Sequence, residues 1–284
     1  MILIADSGST KTDWRLIAKN GKVFPFKSEG VNPYFHSSES ITKTLERFNF
    51  QPFNYRDVEE VFFYGAGCSS ERNREIMLDG FSPVFVRAKI NILHDLLGAA
   101  RALYYKESGI AAILGTGSNS CLFIEDEIHT VLGGQGYILG DEGSGMHLGR
   151  KVVRDFMNDL MPDDVLKLFN ETYNLSKDEI SMAVYKQPFP NRFLASFSTF
   201  VGDHIDHPYF SALADDAFMK FFLRYISQYP NYKSYPLRIV GSIGYYFKQQ
   251  IQKQANNYEI KLDKVIKAPI DGLLEYHKRL EQAG

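Results

Sequence analysis

Apolar and polar positions in the first 107 residues predict strands first and helices after. The segments ILIAD, DWRLIA and KVFPF predict three strands, and Asn20-Gly21 between the last two is typical of a tight hairpin turn. Ile41, Leu45 and Phe48 follow at helical spacing. Two further strands, VEEVFFYGAG and NILHD, come next, and the second leads into a helix, LLGAARALYY. This order predicts an α/β domain.

The same pattern then begins again. IAAILGTGSNS predicts a strand that runs into a glycine turn, and CLFIEDEIHTVL predicts a second hairpin. A mostly helical stretch, 143–230, precedes two strands, LRIVGSIG and YEIKLDKVIKA, and a closing helix. We therefore expect an internal duplication, with one α/β domain over 1–107 and a second over 108–269; the closing helix, 270–284, is a candidate for packing back on the first. One apolar stripe is predicted to be core: Phe210, Leu213, Ala214, Ala217, Phe218, Phe221, Phe222 and Tyr225.

Composition and charge narrow the function. The 284 residues include 32 Lys+Arg and 34 Asp+Glu, a net charge of −2 with histidine neutral. Nucleic acid and anionic membranes attract a strongly positive surface, so we expect neither as a partner and favour a small molecule. The apolar start meets Asp6 too early for a signal peptide, and no apolar run approaches the ~18 residues of a membrane span. With only Cys68 and Cys121, the sequence predicts a cytoplasmic protein without a disulfide framework.

The segment Asp6-Ser7-Gly8-Ser9-Thr10-Lys11-Thr12 lies between two predicted strands. A tight turn with small residues exposes consecutive backbone N–H groups, which form a concavity for anions, while a hydroxyl and a lysine add to it. The spacing of a Walker A loop is absent. The segment therefore predicts a phosphate-binding turn, and a plain polar hairpin is the alternative.

A second glycine turn, Gly115-Thr116-Gly117-Ser118, ends the first strand of the second domain. Such a turn alone is common, but one in each predicted domain suits a polyphosphate held in a cleft between the two. A further loop, Gly-Asp-Glu-Gly-Ser-Gly from Gly140, contains more glycine than packing alone requires, which favours a role in lining a site.

Asp95 stands at the end of a predicted strand and at the start of a helix. An aspartate in that position is commonly a helix cap, yet strand ends are also where α/β proteins place their chemistry, so both interpretations stay open. His204, Asp206 and His207 have no metal-site spacing and predict a helix junction before Pro208. His129, His147 and Cys121 are predicted to be structural.

Five motifs, taken in their order along the chain, are similar to those of a known protein family. They are Asp-Ser-Gly-Ser-Thr-Lys-Thr, Ile-Leu-His-Asp, Leu-Gly-Thr-Gly-Ser-Asn, Gly-Asp-Glu-Gly-Ser and late Ile-Val-Gly-Ser. In this order the chain resembles the BadF/BadG/BcrA/BcrD ATPase family and its N-acetylglucosamine kinase branch, within the actin, hexokinase and Hsp70 superfamily. The resemblance implies two ribonuclease-H-like α/β domains with ATP and a sugar in the cleft between them.

The same resemblance implies roles for individual residues. Asp6 would approach Mg²⁺ through water, and Asp95 would be the general base facing the 6-hydroxyl of the sugar. The implied nucleotide contacts are Gly8, Ser9, Thr10, Lys11, Thr116, Gly117, Ser118, Gly241 and Ser242. The implied sugar contacts are Asn32, Asp95, Thr116, Gly134, Gln135 and Asp141.

The chain departs from the family pattern at three positions. Ser7 and Ser9 stand where the family usually has glycine, and Gln135 stands where the eukaryotic kinases resemble one another in having tryptophan. The expected activity is ATP-dependent phosphorylation of an amino sugar, with N-acetylglucosamine favoured over glucosamine and N-acetylmuramic acid. A homodimer is left open.

Two alternatives belong to other classes of protein. An ATPase that activates a dehydratase or a benzoyl-CoA reductase would share this fold and hold an iron–sulfur cluster between subunits through paired cysteines. A sugar-sensing protein would need an added partner module, and no segment of the sequence suggests one.

Overall fold

The computed structural model describes residues 1–8 and 11–283. They form two compact units, the first from residues 1–107, 125–127 and the segment from Ala268 onward, the second from 108–124 and 128–267. Among the described residues, no helix has the length and apolar character needed to cross a membrane.

The first unit is a five-stranded sheet with helices. Its strands are β1 Ile2–Ser7, β2 Lys11–Ile17, β3 Val23–Glu29, β4 Glu60–Gly65 and β5 Lys89–His94. Its helices, numbered along the whole chain, are α1 Ser38–Arg47, α2 Glu71–Phe81, α3 Asp95–Tyr104 and α13 Ile270–Ala283. The strand order is β3-β2-β1-β4-β5, with β1 antiparallel to β2 and parallel to β4.

The second unit contains another five-stranded sheet and most of the helices. Its strands are β6 Gly109–Leu114, β7 Ser118–Ile124, β8 Glu127–Gly133, β9 Leu237–Val240 and β10 Leu262–Ile266. Its helices are α4 Gly136–Leu139, α5 Gly145–Met157, α6 Asp163–Tyr173, α7 Lys177–Tyr185, α8 Pro190–Ser196, α9 Ser198–Asp203, α10 Pro208–Arg224, α11 Ser242–Tyr246 and α12 Lys248–Asn257.

The two sheets have the same topology. The second has the order β10-β9-β6-β7-β8, so each sheet consists of three strands joined as a meander, followed by two strands added in parallel at the other side of the first. This repetition confirms the predicted internal duplication. It was visible in the sequence only as a repeated order of elements.

Local patterns account for most of these elements. At the Asn20-Gly21 turn, Gly21 has a φ of 76° and its N–H donates to the Ala18 carbonyl at 2.9 Å, which confirms the first hairpin. In the second hairpin, Glu125 and Asp126 both have positive φ, the geometry of a tight two-residue turn. The last predicted strand is shorter than expected, because α12 extends to Asn257 and the strand begins only at Leu262.

Each unit has its own apolar core. In the first, Trp14 is fully buried, stacks on Phe48 at 5.3 Å between ring centroids and donates from its indole N–H to Ser28 Oγ at 2.9 Å. In the second, every member of the predicted aromatic stripe on α10 and at Tyr225 is buried, as expected for a core face. Each core fixes its own sheet in place, and the polar residues described below lie at the edges of these sheets.

Candidate active site

The carboxyl ends of three parallel strands form one edge of the first sheet. β1 ends at Ser7, β4 at Gly65 and β5 at His94, and the strand register pairs Ser7 with Gly65 and Gly65 with His94. Asp6 precedes this edge by one residue, and Asp95 follows it directly as the first residue of α3. The two predicted carboxylates therefore belong to the same edge, the usual position for chemistry in α/β proteins.

Asp6 shares its surroundings with other carboxylates. Antiparallel pairing of β1 and β2 places Asp13 directly opposite Asp6. Burial first, and then the charges of Asp95 and Asp13, raise the pKa of Asp6 to about 7, against the smaller opposing effect of Lys11. The sequence pattern did not point to Asp13, because its position opposite Asp6 depends on strand register.

The predicted phosphate turn follows β1. Ser9 and Thr10 lie outside the described residues. The Gly8 N–H donates to the Lys11 carbonyl at 3.1 Å, so this donor closes the hairpin and does not face outward as predicted. Lys11 is 67% exposed, and its Nζ lies 3.0 Å from Asp13 Oδ2. Lys11 is thus an exposed cation in the described part of this turn.

Asp95 contacts the histidine that precedes it. His94 Nε2 lies 3.0 Å from Asp95 Oδ1, with both side chains about one quarter exposed at 23% and 26%. His94, not Asp95, occupies the cap position of α3, and the His94 side chain makes no capping hydrogen bond to that helix end. The helix-cap interpretation of Asp95 is therefore wrong. His94 and Asp95 are adjacent in the sequence, but adjacency alone does not show that two side chains are in contact.

Asn32 is buried in the segment after β3. Its amide oxygen accepts the Tyr34 N–H at 2.9 Å, and its carbonyl accepts the N–H groups of Phe35 and His36. These bonds shape the turn around Pro33. The predicted sugar contact of Asn32 therefore has to coexist with a structural role that the sequence did not indicate.

The glycine turn of the second unit is joined to the Asp141 loop. The Ser118 N–H donates to Asp141 Oδ1 at 3.0 Å, and the Ser118 hydroxyl donates to the Glu142 carbonyl at 2.8 Å. A Cβ on Gly117 would lie 2.9 Å from Asp141 Oδ2, so a larger residue would displace that carboxylate. Burial raises the pKa of Asp141, and the Ser118 N–H opposes the shift. Thr116, by contrast, is exposed.

Gly241 and Ser242 lie beside this turn. They follow β9, which runs parallel to β6 and pairs with it up to Ile113 and Val240. Gly241 has a φ of 126°, and a Cβ there would lie 2.2 Å from the Leu114 carbonyl oxygen, so only glycine fits. The structure thus brings two predicted nucleotide segments, Thr116–Ser118 and 241–242, to one sheet edge.

The two remaining predicted sugar contacts follow β8. The Gly134 N–H donates to the Ser118 carbonyl at 3.0 Å, which ties this segment to the same turn. Gln135 is exposed and lines a cavity of about 520 Å³ together with Glu142 and Tyr225. The Tyr225 hydroxyl donates to Glu142 Oε2, which orients the carboxylate at the cavity wall.

Several histidines have local structural roles. His207 accepts the Tyr209 N–H at 3.2 Å and caps α10 just before Pro208, which confirms the predicted helix junction. His147 is buried and its Nδ1 accepts the Gly143 N–H at 3.0 Å, so it supports the glycine-rich loop. A Cβ on Gly143 would lie 2.8 Å from Phe221 Cβ, so close packing does explain part of the glycine content of that loop.

Both cysteines are fully buried. Burial raises the pKa of the Cys68 and Cys121 thiols to about 12 in each case. A cluster shared between subunits needs accessible thiolates, so this chemistry does not fit the iron–sulfur alternative.

Solved structures of other proteins share the fold of this chain. The crystal structure of a protein from Porphyromonas gingivalis, provisionally named an N-acetylglucosamine kinase, is 38% identical and has a TM-score of 0.92, with 99% of this chain and 100% of that chain covered. A similarly named protein from Chromobacterium violaceum is 19% identical, with coverage of 97% and 98% and a TM-score of 0.77. A ROK family glucokinase from Streptomyces griseus, in complex with glucose and AMPPNP, is 13% identical, with coverage of 96% and 98% and a TM-score of 0.56.

One curated relative also matches. The N-acetylmuramic acid/N-acetylglucosamine kinase of Clostridium acetobutylicum is 24% identical over 155 residues, which cover 52% of this chain and 51% of the relative. The match thus spans about half the length of that relative. No protein-family model matches the chain.

The two repeated sheets and these structural neighbours define a sugar kinase with the actin-like ATPase fold. Within that class, the chain belongs to the family of the Porphyromonas gingivalis protein, the N-acetylglucosamine kinases.

Proposed function

We propose that this protein transfers the γ-phosphoryl group of ATP to the 6-hydroxyl of N-acetylglucosamine. The observation that carries the proposal is the pair of carboxylates at one edge of the first sheet, Asp6 and Asp95, in a chain 38% identical to a protein provisionally named an N-acetylglucosamine kinase. Phosphoryl transfer needs positioning, charge neutralisation and a group that accepts the hydroxyl proton. In this proposal Asp95 accepts the proton, and Asp6 and Lys11 serve the charge neutralisation, Asp6 by holding Mg²⁺ and Lys11 by its own positive charge.

Asp95 is the proposed general base. Its carboxylate is partly accessible, and the contact with His94 holds one oxygen, Oδ1, in a defined orientation. A base must reach the proton that it removes, so an oriented carboxylate at a strand end suits the task. His94 is therefore proposed as a positioning residue.

Asp6 is the proposed magnesium residue. Mg²⁺ prefers carboxylate and water oxygens, and the mutual repulsion of Asp6, Asp13 and Asp95 is what a cation would relieve. A carboxylate oxygen suits this ion, and the proposal places Asp6 one water away from it; in the part of the chain that the structure describes, no group of three or more histidine, cysteine or acidic side chains could hold a metal directly. Mg²⁺, when bound with the nucleotide, neutralises negative charge on the phosphates.

The proposed nucleotide contacts come from both units. From the first unit the proposal takes Gly8, Ser9, Thr10 and Lys11, and from the second Thr116, Gly117, Ser118, Gly241 and Ser242. Because the Gly8 and Ser118 N–H groups already have acceptors, Lys11 and the exposed Thr116 hydroxyl are expected to contribute most. Membership in the BadF/BadG/BcrA/BcrD family, a homodimer and a cytoplasmic location stay predictions from the sequence.

The direct test is a panel of sugars. ATP consumption is measured with N-acetylglucosamine, glucosamine, N-acetylmuramic acid, N-acetylmannosamine and glucose, with and without Mg²⁺, and the product is located by NMR. We expect the highest kcat/KM with N-acetylglucosamine and a 6-phosphate product. Turnover that is independent of added sugar would instead favour an ATPase.

Gln135 is expected to set the preference among amino sugars. Gln135→Ala removes an exposed amide from the cavity wall, and loss of one hydrogen bond changes binding about 2- to 10-fold. The ratio of kcat/KM for N-acetylglucosamine to that for glucosamine should change by this factor. Gln187→Ala, at an exposed position outside the cavity, is the matched control. The same ratio in all three proteins would remove Gln135 from the sugar site.

A further inference from the structure

A second cavity in the second unit, of about 240 Å³, has a wall rich in cations. Five basic side chains from α5 and α10 line it, and we refer to it as the basic pocket: Arg150, Lys151, Arg154, Lys220 and Arg224. Glu142 and His147 also line it. The residues predicted for nucleotide or sugar do not include any of the five cations.

Among the described residues, three of the five cations of the basic pocket, Lys151, Lys220 and Arg150, have a single ion-paired carboxylate between them. Lys151 Nζ and Lys220 Nζ lie 2.5 and 2.8 Å from the same oxygen, Asp216 Oδ2, so one carboxylate serves two ammonium groups. Arg150 donates to the neutral Tyr137 carbonyl at 2.9 Å, and its charge also acts on the Asp141 carboxylate, where it opposes the rise in pKa that burial causes. The wall therefore has an excess of positive charge at these positions.

The other two cations are paired. Arg224 contacts Glu142, and Arg154 Nε lies 3.7 Å from Asp155 Oδ1. The excess charge therefore resides on Arg150 and the two lysines. The positive charge also affects His147. Burial first, and then the charges of Arg150 and Lys151, lower the pKa of His147 to about 4.

The positive charge is partly withdrawn from water. The Lys151 side chain is only 15% exposed, and that of Lys220 is 36% exposed. Keeping like charges together in a partly dry concavity is unfavourable unless an anion joins them, because repulsion is stronger where water is excluded. Oriented guanidinium and ammonium donors are the groups that bind carboxylate and phosphate.

We propose that the basic pocket binds the carboxylate or phosphate group of a small molecule. The basic pocket and the larger cavity beside Gln135 share Glu142 and Arg224 as wall residues, so the two cavities are neighbours. The anion has two possible sources: a substituent on the sugar, such as the lactyl carboxylate of N-acetylmuramic acid, or a free phosphorylated metabolite. The first source rests on the proposed function, and the second does not.

The first arm of the test is a calorimetric titration with inorganic phosphate. The protein is held in excess nonhydrolysable ATP analogue, so that the nucleotide site does not take up the probe. Wild type is compared with Arg150→Gln, Lys220→Gln and the exposed control Lys186→Gln, with folding checked by thermal melting. Loss of one charged donor should weaken phosphate binding about tenfold in the two pocket variants and leave the control unchanged.

The second arm is the ratio of kcat/KM for N-acetylmuramic acid to that for N-acetylglucosamine. A ratio about tenfold lower in both pocket variants supports the substrate substituent as the source, and an unchanged ratio with pocket-dependent phosphate binding supports a free anion. Equal phosphate binding in all four proteins, or no binding together with an unchanged ratio, overturns the proposal. Another outcome is a protein that is inactive on every amino sugar and still binds phosphate in a way that depends on Arg150. That result would reject the proposed kinase activity and support the proposed anion site in the basic pocket.

Discussion

Asp95→Asn is expected to lower kcat about 10²- to 10⁴-fold while the sugar still binds. A carboxylate accepts the proton of the attacking hydroxyl, and an amide of the same shape does not. The amide still hydrogen-bonds, so contacts with His94 and the sugar survive the change. Turnover by a coupled ATP assay and sugar affinity by calorimetry, on the same preparation, measure the two effects separately.

The matched control for this variant is Asp79→Asn, which removes an exposed carboxylate from α2 and should leave kcat unchanged. His94→Gln tests the positioning role, and we expect a smaller loss of kcat with little change in KM for the sugar. Retention of more than about a third of wild-type turnover by Asp95→Asn would reject Asp95 as the base, since a lost general base typically removes at least 10²-fold.

Asp6→Asn is expected to move stability and activity in opposite directions. The pKa of Asp6 rises from 3.8 in the unfolded chain to about 7 in the folded protein. The protonated carboxyl therefore contributes its full stabilisation below pH 3.8, and this contribution is lost as the pH rises through the folded-state pKa of about 7. Above pH 7 the ionised carboxylate destabilises the metal-free protein by up to about 4 kcal/mol. Asparagine removes this charge, so the melting temperature should rise, and more at pH 8 than at pH 5.

The same variant should lose most of its Mg²⁺-dependent turnover, because a neutral amide lacks the negative charge that attracts the hydrated ion. Scanning calorimetry at the two pH values, without nucleotide, gives the stability, and the ATP assay gives the activity. Asp79→Asn again serves as the control. A melting temperature at pH 8 below that of wild type would show that Asp6 is a structural residue.

Much of the candidate site was predictable where the chemistry is local in the chain. The glycine turn from Gly115 to Ser118 and the strand-end aspartates were recognised because the residues lie next to each other in sequence. Partners from other elements were not recognised. Asp13 faces Asp6 through strand register, and Asp141 accepts the Ser118 N–H across 23 positions of the chain.

The sequence by itself determined the order of elements, the two hairpins and the buried stripe on α10, since hydrophobic period and turn chemistry act over a few residues. Tertiary structure decided which charges meet. The basic pocket arises because α5 and α10 pack together and place Lys151 and Lys220 on one carboxylate, that of Asp216. Electrostatic energy depends on distances of a few ångströms between side chains, and those distances exist only after the elements have packed.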